Sequence, residues 1–484
     1  MAGIRSIARR VGHAYVAALA WLGLVDRTDG EAALALAAPV MVTGGLRVLL
    51  RVADFAMVGW ALGDAAIAGL ELGFQYYFVG FGLSLAISSG TISVVSRLHG
   101  AGEYDRANRA VAQSLWLAVA IGLPLTVLAW LRAPELVGLL TPDPDVVRYG
   151  STYLAIVMLA MVPRFWSMVA ARALAGGGDT VTPMAVRTIT LPTNVVLNAV
   201  LIFGLGPAPR LGVAGAAIGT VIANAIAAGA FLGLLLSGRF VVALPRRPTV
   251  DPALIVEIVR VALPLAGMRL LQTGARFPFL AILGLVSTPA VAAYAVGRRV
   301  VMLAMMPAWG FATASSTLVG QRLGGEDPDG ARSAGWQTAR IALVTQVGVA
   351  IVIVAAARPI AHLFGTAHPD LVVAFVRTFG VIVASFSLSR TMRGALRGAG
   401  DTRWPLYGTV LGSTVRLAIA ALALPAGLAV ALPALGTVTI GAGLGLPAIY
   451  TALVADYALK AAVNTYRFHS GRWRAVANAA RLDS

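Results

Sequence analysis

Apolar stretches of about 20 residues, rich in Ala, Leu and Gly, recur from residue 33 to residue 467 with only short polar connections between them. A helix of that length crosses a hydrocarbon core of about 30 Å. Inside lipid the backbone finds no water to bond, so helices and closed barrels are the only spanning forms. Barrel strands are shorter and alternate strictly between apolar and polar residues, which these stretches do not. The pattern predicts an all-α polytopic membrane protein. Composition agrees, with 58% of the 484 residues hydrophobic and 12% charged, outside the range of soluble domains.

Twelve spans are expected, near 33–61, 66–96, 109–131, 146–170, 183–204, 211–237, 255–286, 289–320, 333–357, 370–395, 404–428 and 434–467. Basic residues outnumber acidic ones 38 to 21, a formal net charge of +17. In a soluble chain that excess would suggest a nucleic-acid partner. Here the arginines collect in short connections, as the positive-inside rule predicts. With the N-terminus inside, Arg97, Arg106, Arg109, Arg172, Arg187, Arg239 and the cluster Arg390, Arg393, Arg397 and Arg403 are all expected on the cytoplasmic side. Both termini are then cytoplasmic, and the expected location is the plasma membrane, as a multi-pass protein. The first 30 residues read as an interfacial segment rather than a signal peptide, because no small-residue cleavage site precedes a mature domain. The absence of cysteine removes disulfides, thiolate metal sites and thiol nucleophiles. The five histidines lack metal-ligand spacing, and no metal or other cofactor is expected.

The chain repeats itself. Residues 173–183 read ALAGGGDTVTP and residues 395–405 read ALRGAGDTRWP, which places Asp179 and Asp401 222 residues apart. Pro39 and Pro264, each ending an Ala-x-Pro, lie 225 apart, and RLHGAGEYDRA from Arg97 matches RLGGEDPDGA from Arg322 at the same offset. These landmarks divide the chain into an N-terminal segment 1–30, a lobe 31–240, a linker 241–254, a second lobe 255–468 and a tail 469–484. Six spans per copy is an even number, so both copies enter and leave on one side. The expected arrangement is two six-helix lobes related by an axis along the membrane normal, around a central cleft.

The two Leu-x-Gly-x-Gly-Asp-Thr-x-x-Pro loops, Leu174 to Pro183 and Leu396 to Pro405, resemble those of the multidrug and toxic compound extrusion (MATE) family after its fourth and tenth spans. Pro39, Asp54, Val58 and Gly59 are similar to the family's first span, LGVAGAAIGT from Leu211 to the start of its sixth, and FHSGRW from Phe468 to its C-terminal end. The likeness covers essentially everything after residue 30. One branch carries its coupling carboxylates on the seventh and tenth spans. Here the seventh offers Arg269, Gln272 and Arg276, and the tenth has no acid after Asp370 at its very start. The chain looks closer to the DinF-like branch, which uses the first-span aspartate with an Asn-x-x-x-Asp pair on the fifth. Asn194 fits that pair, but Asn198 stands where the second acid would be.

The resemblance implies an ion-coupling set of Asp54, Asn194, Asn198 and Thr220. An ionised side chain two-thirds of the way along an apolar span is costly unless paired or hydrated, so Asp54 is either a coupling carboxylate or a static partner of Arg51. Asn194 and Asn198, at i and i+4, share a helix face and either serve the site or bond helices together. Glu71, Gln75 and Tyr76 open the second span, where an acid beside aromatics could attract an organic cation, or the tyrosines could anchor the interface. Arg276, the repeat counterpart of Arg51, and Arg416, that of Asn194, either engage an anionic group or pair within the membrane. Asp456 and Lys460, at i and i+4, are expected to neutralise each other. The loops Gly176, Gly178, Asp179, Thr180, Pro183 and Gly398, Gly400, Asp401, Thr402, Pro405 read as tight turns whose aspartate caps the next helix. No Lys-Ser/Thr follows, so they are not nucleotide loops.

The resemblance therefore implies a secondary antiporter that exports amphipathic, often cationic, organic compounds in exchange for H⁺ or Na⁺. A lipid-linked oligosaccharide flippase of the same superfamily is the alternative. An enzyme acting on lipid would show clustered acids or histidines near an interface, and none is visible. The expected partners are the bilayer and small organic substrates, with no nucleic acid or nucleotide, and the protein is expected to act as a monomer.

Overall fold

The computed structural model describes the backbone of residues 2–482 except 63, 142, 246–249, 364–367, 428, 433–435 and 440. Within it, the side chains of 2–11, 48–56, 59, 64, 65, 67, 288, 292, 363, 429–432, 436–439 and 479–482 are outside the described set. In chain order the helices are α1 (Ala2–Trp21), α2 (Arg27–Leu62), α3 (Asp64–Gly100), α4 (Tyr104–Gly138), α5 (Pro144–Val157), α6 (Met161–Gly176), α7 (Val181–Phe203), α8 (Val213–Leu236) and α9 (Pro252–Gly274). There follow α10 (Arg276–Val286), α11 (Thr288–Ala304), α12 (Met306–Gly324), α13 (Pro328–Ala355), α14 (Ala357–Leu363), α15 (Pro369–Gly398) and α16 (Arg403–Ala421). After a two-stranded ribbon come α17 (Gly445–His469) and α18 (Trp473–Leu482).

Eight helices among the described residues are long and apolar enough to cross a membrane, or nine if the bent pair α11 and α12 is one span. Joined across their short breaks and together with α2, α9–α10 and α16, the helices make the twelve segments the apolar pattern predicts. The largest boundary difference is at the last span. The last span was expected from residue 434, but its helix begins at Gly445. Ala429–Leu432 and Gly436–Thr439 instead pair antiparallel, Ala429 opposite Thr439. These segments are rich in Val and Thr, which suit a pleated strand better than a helix.

The chain divides into two compact units. One holds the chain up to Ala38 with Pro264–Val319 and Pro328–Leu482; the other holds Pro39–Leu263 with Gly320–Asp327. The main blocks open at Pro39 and Pro264, the prolines matched in the repeat. In the Pro39 unit, α3 packs against α5 and α6, and α7 against α8, around a core that includes Phe165, Phe231 and Ile202. In the Pro264 unit, α15 packs against α11, α13 and α17, and α16 against α17, around Phe279, Phe375 and Ile449.

The helix starts have local causes. Asp26 Oδ1 accepts from the Thr28 and Asp29 amides at 2.9 and 3.1 Å, satisfying donors that the first turn of α2 leaves open. Asp143 does the same for α5. In the Pro264 unit, α1 is tied to α13 by a Tyr15 to Thr345 hydroxyl contact of 2.9 Å.

Candidate functional site

The two Gly-Asp-Thr loops form matching turns. Gly178 and Gly400 take left-handed φ values of +100° and +81°, which a residue with a Cβ rarely adopts. The Asp179 and Asp401 amides donate back to Leu174 O and Leu396 O at 2.9 and 2.8 Å, closing α6 and α15. Asp179 Oδ1 then accepts from the Thr182 amide at 2.9 Å, capping α7. Asp401 differs in being buried and held by Arg467 of α17, whose Nε donates at 2.6 Å. Burial pushes the Asp401 carboxyl above its ordinary value, while Arg467 and the Trp404 amide pull the other way.

Asn198 of α7 is 1% exposed. The reason it can sit there is Gly219 of α8, whose missing Cβ leaves room for the Asn198 carboxamide oxygen. Small residues of this kind let membrane helices approach closely. Asn194 Nδ2 donates to Thr220 Oγ1 at 3.3 Å and, more weakly, to Asn198 Oδ1 at 3.5 Å. Thr220 Oγ1 donates to Ala216 O at 3.0 Å, and Asn224 Nδ2 to Thr220 O at 2.8 Å. The fold therefore brings Asn194, Asn198 and Thr220 together as one polar cluster between α7 and α8.

That cluster forms one wall of a cavity of about 110 Å³ inside the Pro39 unit. Its other walls carry Arg47, Tyr77, Tyr153, Arg164, Arg187 and Thr190. Arg187 is 5% exposed and lies over the Phe231 ring at 5.7 Å, and Arg164 lies over Phe81 at 5.2 Å. Sequence reading set Arg187 at the cytoplasmic end of the expected span 183–204. The structure puts it nearly two turns inside α7, buried rather than facing water. Arg164, Arg187, Thr190 and Asn224 were not singled out as site residues in the sequence, although Arg187, Thr190, Asn194 and Asn198 follow helical spacing along one face of α7.

The other predicted residues fall elsewhere. Asp54 lies in α2 within the stretch whose side chains are outside the described set. Gln75 Nε2 donates to Glu71 Oε1 at 2.9 Å on the exposed face of α3, and Tyr76 OH donates to Leu136 O at 2.5 Å. None of these three lines the cavity, whereas their neighbour Tyr77 does. Arg276, in the other unit, is exposed at the start of α10.

The Pro264 unit has its own polar cluster. Arg416 Nη1 lies 3.2 Å from Asp456 Oδ2, and Lys460 Nζ lies 2.5 Å from Oδ1, so the expected Asp456–Lys460 pair is a triad. Arg416 Nη2 also donates to Ala275 O at 3.1 Å, and its guanidinium covers the Phe279 ring at 5.2 Å. Arg390 and Arg393, near the end of the expected span 370–395, lie within α15. There Arg393 approaches the Met268 sulfur at 3.2 Å, and Arg390 stacks over Trp309 and Phe386 at 4.9 and 5.0 Å.

The family model MatE matches residues 39–200 and again 264–422. The chain belongs to the MatE family. Both MatE matches begin at the repeat prolines, so each falls within one copy. Among its relatives, the probable multidrug resistance protein NorM of Bradyrhizobium diazoefficiens is 28% identical, over 78% of this chain and 83% of its own length. The probable multidrug resistance protein NorM of Thermotoga maritima is also 28% identical, over 92% of this chain and 94% of its own. The solved structure of MATE in the bent conformation superposes with a TM-score of 0.82 at 21% identity, covering 94% of this chain and 97% of that one. The MatE fold, two six-helix lobes spanning a membrane, is thus the fold of this chain.

Proposed function

We propose that this chain is a secondary antiporter that exports amphipathic organic compounds, cationic ones among them, in exchange for H⁺ or Na⁺. The observation that carries this reading is the doubled MatE match on two six-helix repeats, an architecture suited to alternating access. The relatives' names, multidrug resistance proteins, support broad export over the flippase alternative. The ion gradient supplies the energy.

Coupling is assigned to Asp54. The amides of Asn194 and Asn198 and the Thr220 hydroxyl can bond a cation or a carboxylate, but they do not take up a proton near neutral pH, so proton coupling needs an acid. The protein works as a monomer in the plasma membrane with both termini in the cytoplasm. A cysteine introduced at Ser484 of this cysteine-free chain should resist labelling from outside intact cells; efficient labelling would invert the topology.

The central test uses reconstituted vesicles with pH and sodium gradients imposed separately and a fluorescent organic cation as reporter. Wild type should move the dye against one gradient and Asp54→Asn should not, at equal reconstitution. Transport by the variant at the wild-type rate would remove Asp54 from the coupling role.

A further inference from the structure

We infer that the cavity of the Pro39 unit is an anion subsite, which takes the carboxylate, sulfonate or phosphate of an amphipathic organic substrate. This deepens the export reading and rests on it for the word substrate. Three arginines, Arg47, Arg164 and Arg187, line a cavity of about 110 Å³, and no carboxylate stands among its described lining residues. Neither Arg164 nor Arg187 makes an ion pair among the described residues; each is met instead by an aromatic ring. A charge left inside a membrane protein without a counterion is costly, and ring contact returns only part of that cost.

Two further groups in the same walls await an acceptor or a donor. Arg164 Nε is buried without a hydrogen-bond partner, as is the Thr190 hydroxyl, in a residue 5% exposed. Buried polar groups are normally satisfied, so unsatisfied ones at a cavity wall point to a missing ligand. Guanidinium forks match the planar geometry of carboxylate and the oxygens of phosphate or sulfonate, and charge-assisted bonds to them are the strong ones. The volume limits the ligand. Sites that enclose a whole drug-sized molecule run to roughly 300–1,000 Å³, so this cavity receives one anionic group and leaves the rest of the molecule outside. Tyr77 and Tyr153 in its walls favour an aromatic scaffold next to that group.

Two xanthene dyes of opposite charge provide the test: carboxyfluorescein, an anion, and rhodamine 6G, a cation. Binding is read by fluorescence anisotropy with the purified protein in phosphatidylcholine nanodiscs, which carry no net charge to compete. Wild type should bind carboxyfluorescein more tightly than rhodamine 6G. Arg164→Gln should weaken carboxyfluorescein by about 10- to 100-fold, the loss expected for one charge-assisted hydrogen bond, and leave rhodamine 6G unchanged or tighter. Arg187→Gln should act likewise, with Arg187→Lys intermediate. Because Arg187 is buried and its loss could impair folding, Arg164→Gln and Thr190→Val, which leave Arg187 in place, carry the test on their own, each weakening carboxyfluorescein and not rhodamine 6G. Preference for rhodamine 6G in wild type, with carboxyfluorescein binding unaltered by Arg164→Gln, would overturn the subsite. Gradient-driven rhodamine export with no carboxyfluorescein binding defeats the subsite but leaves the antiporter. Arginine-dependent carboxyfluorescein binding without gradient-driven export of either dye upholds the subsite and defeats the antiporter.

Discussion

Arg467 Nε donates to Asp401 Oδ2 at 2.6 Å, fastening the second Gly-Asp-Thr turn to the last long helix with both side chains nearly out of water. Among the described residues the first turn has a cap but no such ion pair, and Gln321 Nε2 donates to its Gly176 O at 3.0 Å instead. Truncating one partner of a buried pair leaves the other charge uncompensated, at a cost of about 3–5 kcal/mol. Arg467→Met should therefore lower the thermal unfolding midpoint sharply, and adding Asp401→Asn should recover part of the loss. A single variant as stable as wild type would mean that the clasp contributes nothing.

The same pair predicts a pH dependence. Burial raises the Asp401 pKa above its ordinary 3.8, so the folded state binds its proton more readily than the unfolded state does. The contribution of this group to stability is therefore greatest below the ordinary value and declines as pH rises through the folded pKa. Arg467→Met removes the chief influence that holds the pKa down, which widens that window. The deficit of the variant relative to wild type should shrink as the pH is lowered from 7 toward 4 in thermal melts. A constant deficit would show that Asp401 does not titrate in this range.

Gly219→Ala would place a methyl against the Asn198 carboxamide and close to its backbone nitrogen. Overpacking of this kind costs about 1–3 kcal/mol. The variant should melt earlier than wild type, and Asn198→Ala in the same chain should restore part of the midpoint by opening the space. If Gly219→Ala alone is neutral, α7 and α8 are able to move apart at this point.

Asp456 is fully buried between Arg416 and Lys460. Asp456→Asn strands two cations, and a loss of about 3–5 kcal/mol is expected. Lys460→Met should rescue the variant partially by removing one of them. Size-exclusion chromatography of detergent-solubilised protein checks both, the single variant eluting broadly and the double one more sharply.

Much of this was legible in the sequence for a simple reason. Twenty-residue apolar stretches and a doubled Gly-Asp-Thr motif depend only on local chemistry, and they gave the helices, the repeat and the turns. The face shared by Asn194 and Asn198 was also readable, because amides one turn apart lie together, whereas Thr220 on the next helix came only from the family resemblance. What the arginines touch was not readable. The positive-inside rule assigns a side of the membrane and says nothing of packing, and Arg187 and Arg390 lie within helices against aromatic rings. Arg416 and Asp456 are 40 residues apart, and only the packing of α16 on α17 makes them partners. The strand ribbon before α17 was hidden for the opposite reason, since a short apolar run carries no periodicity that separates strand from helix.

The break between α9 and α10 has a mechanical consequence. Ala275, the single residue between them, offers its carbonyl to Arg416 of α16, while Pro278 lacks the N–H that Gly274 O would otherwise meet one turn on. The junction is therefore set from two sides, by a proline that removes a rung from the helical ladder and by a guanidinium from another helix, and any change in the path of α9 into α10 has to find Arg416 another acceptor.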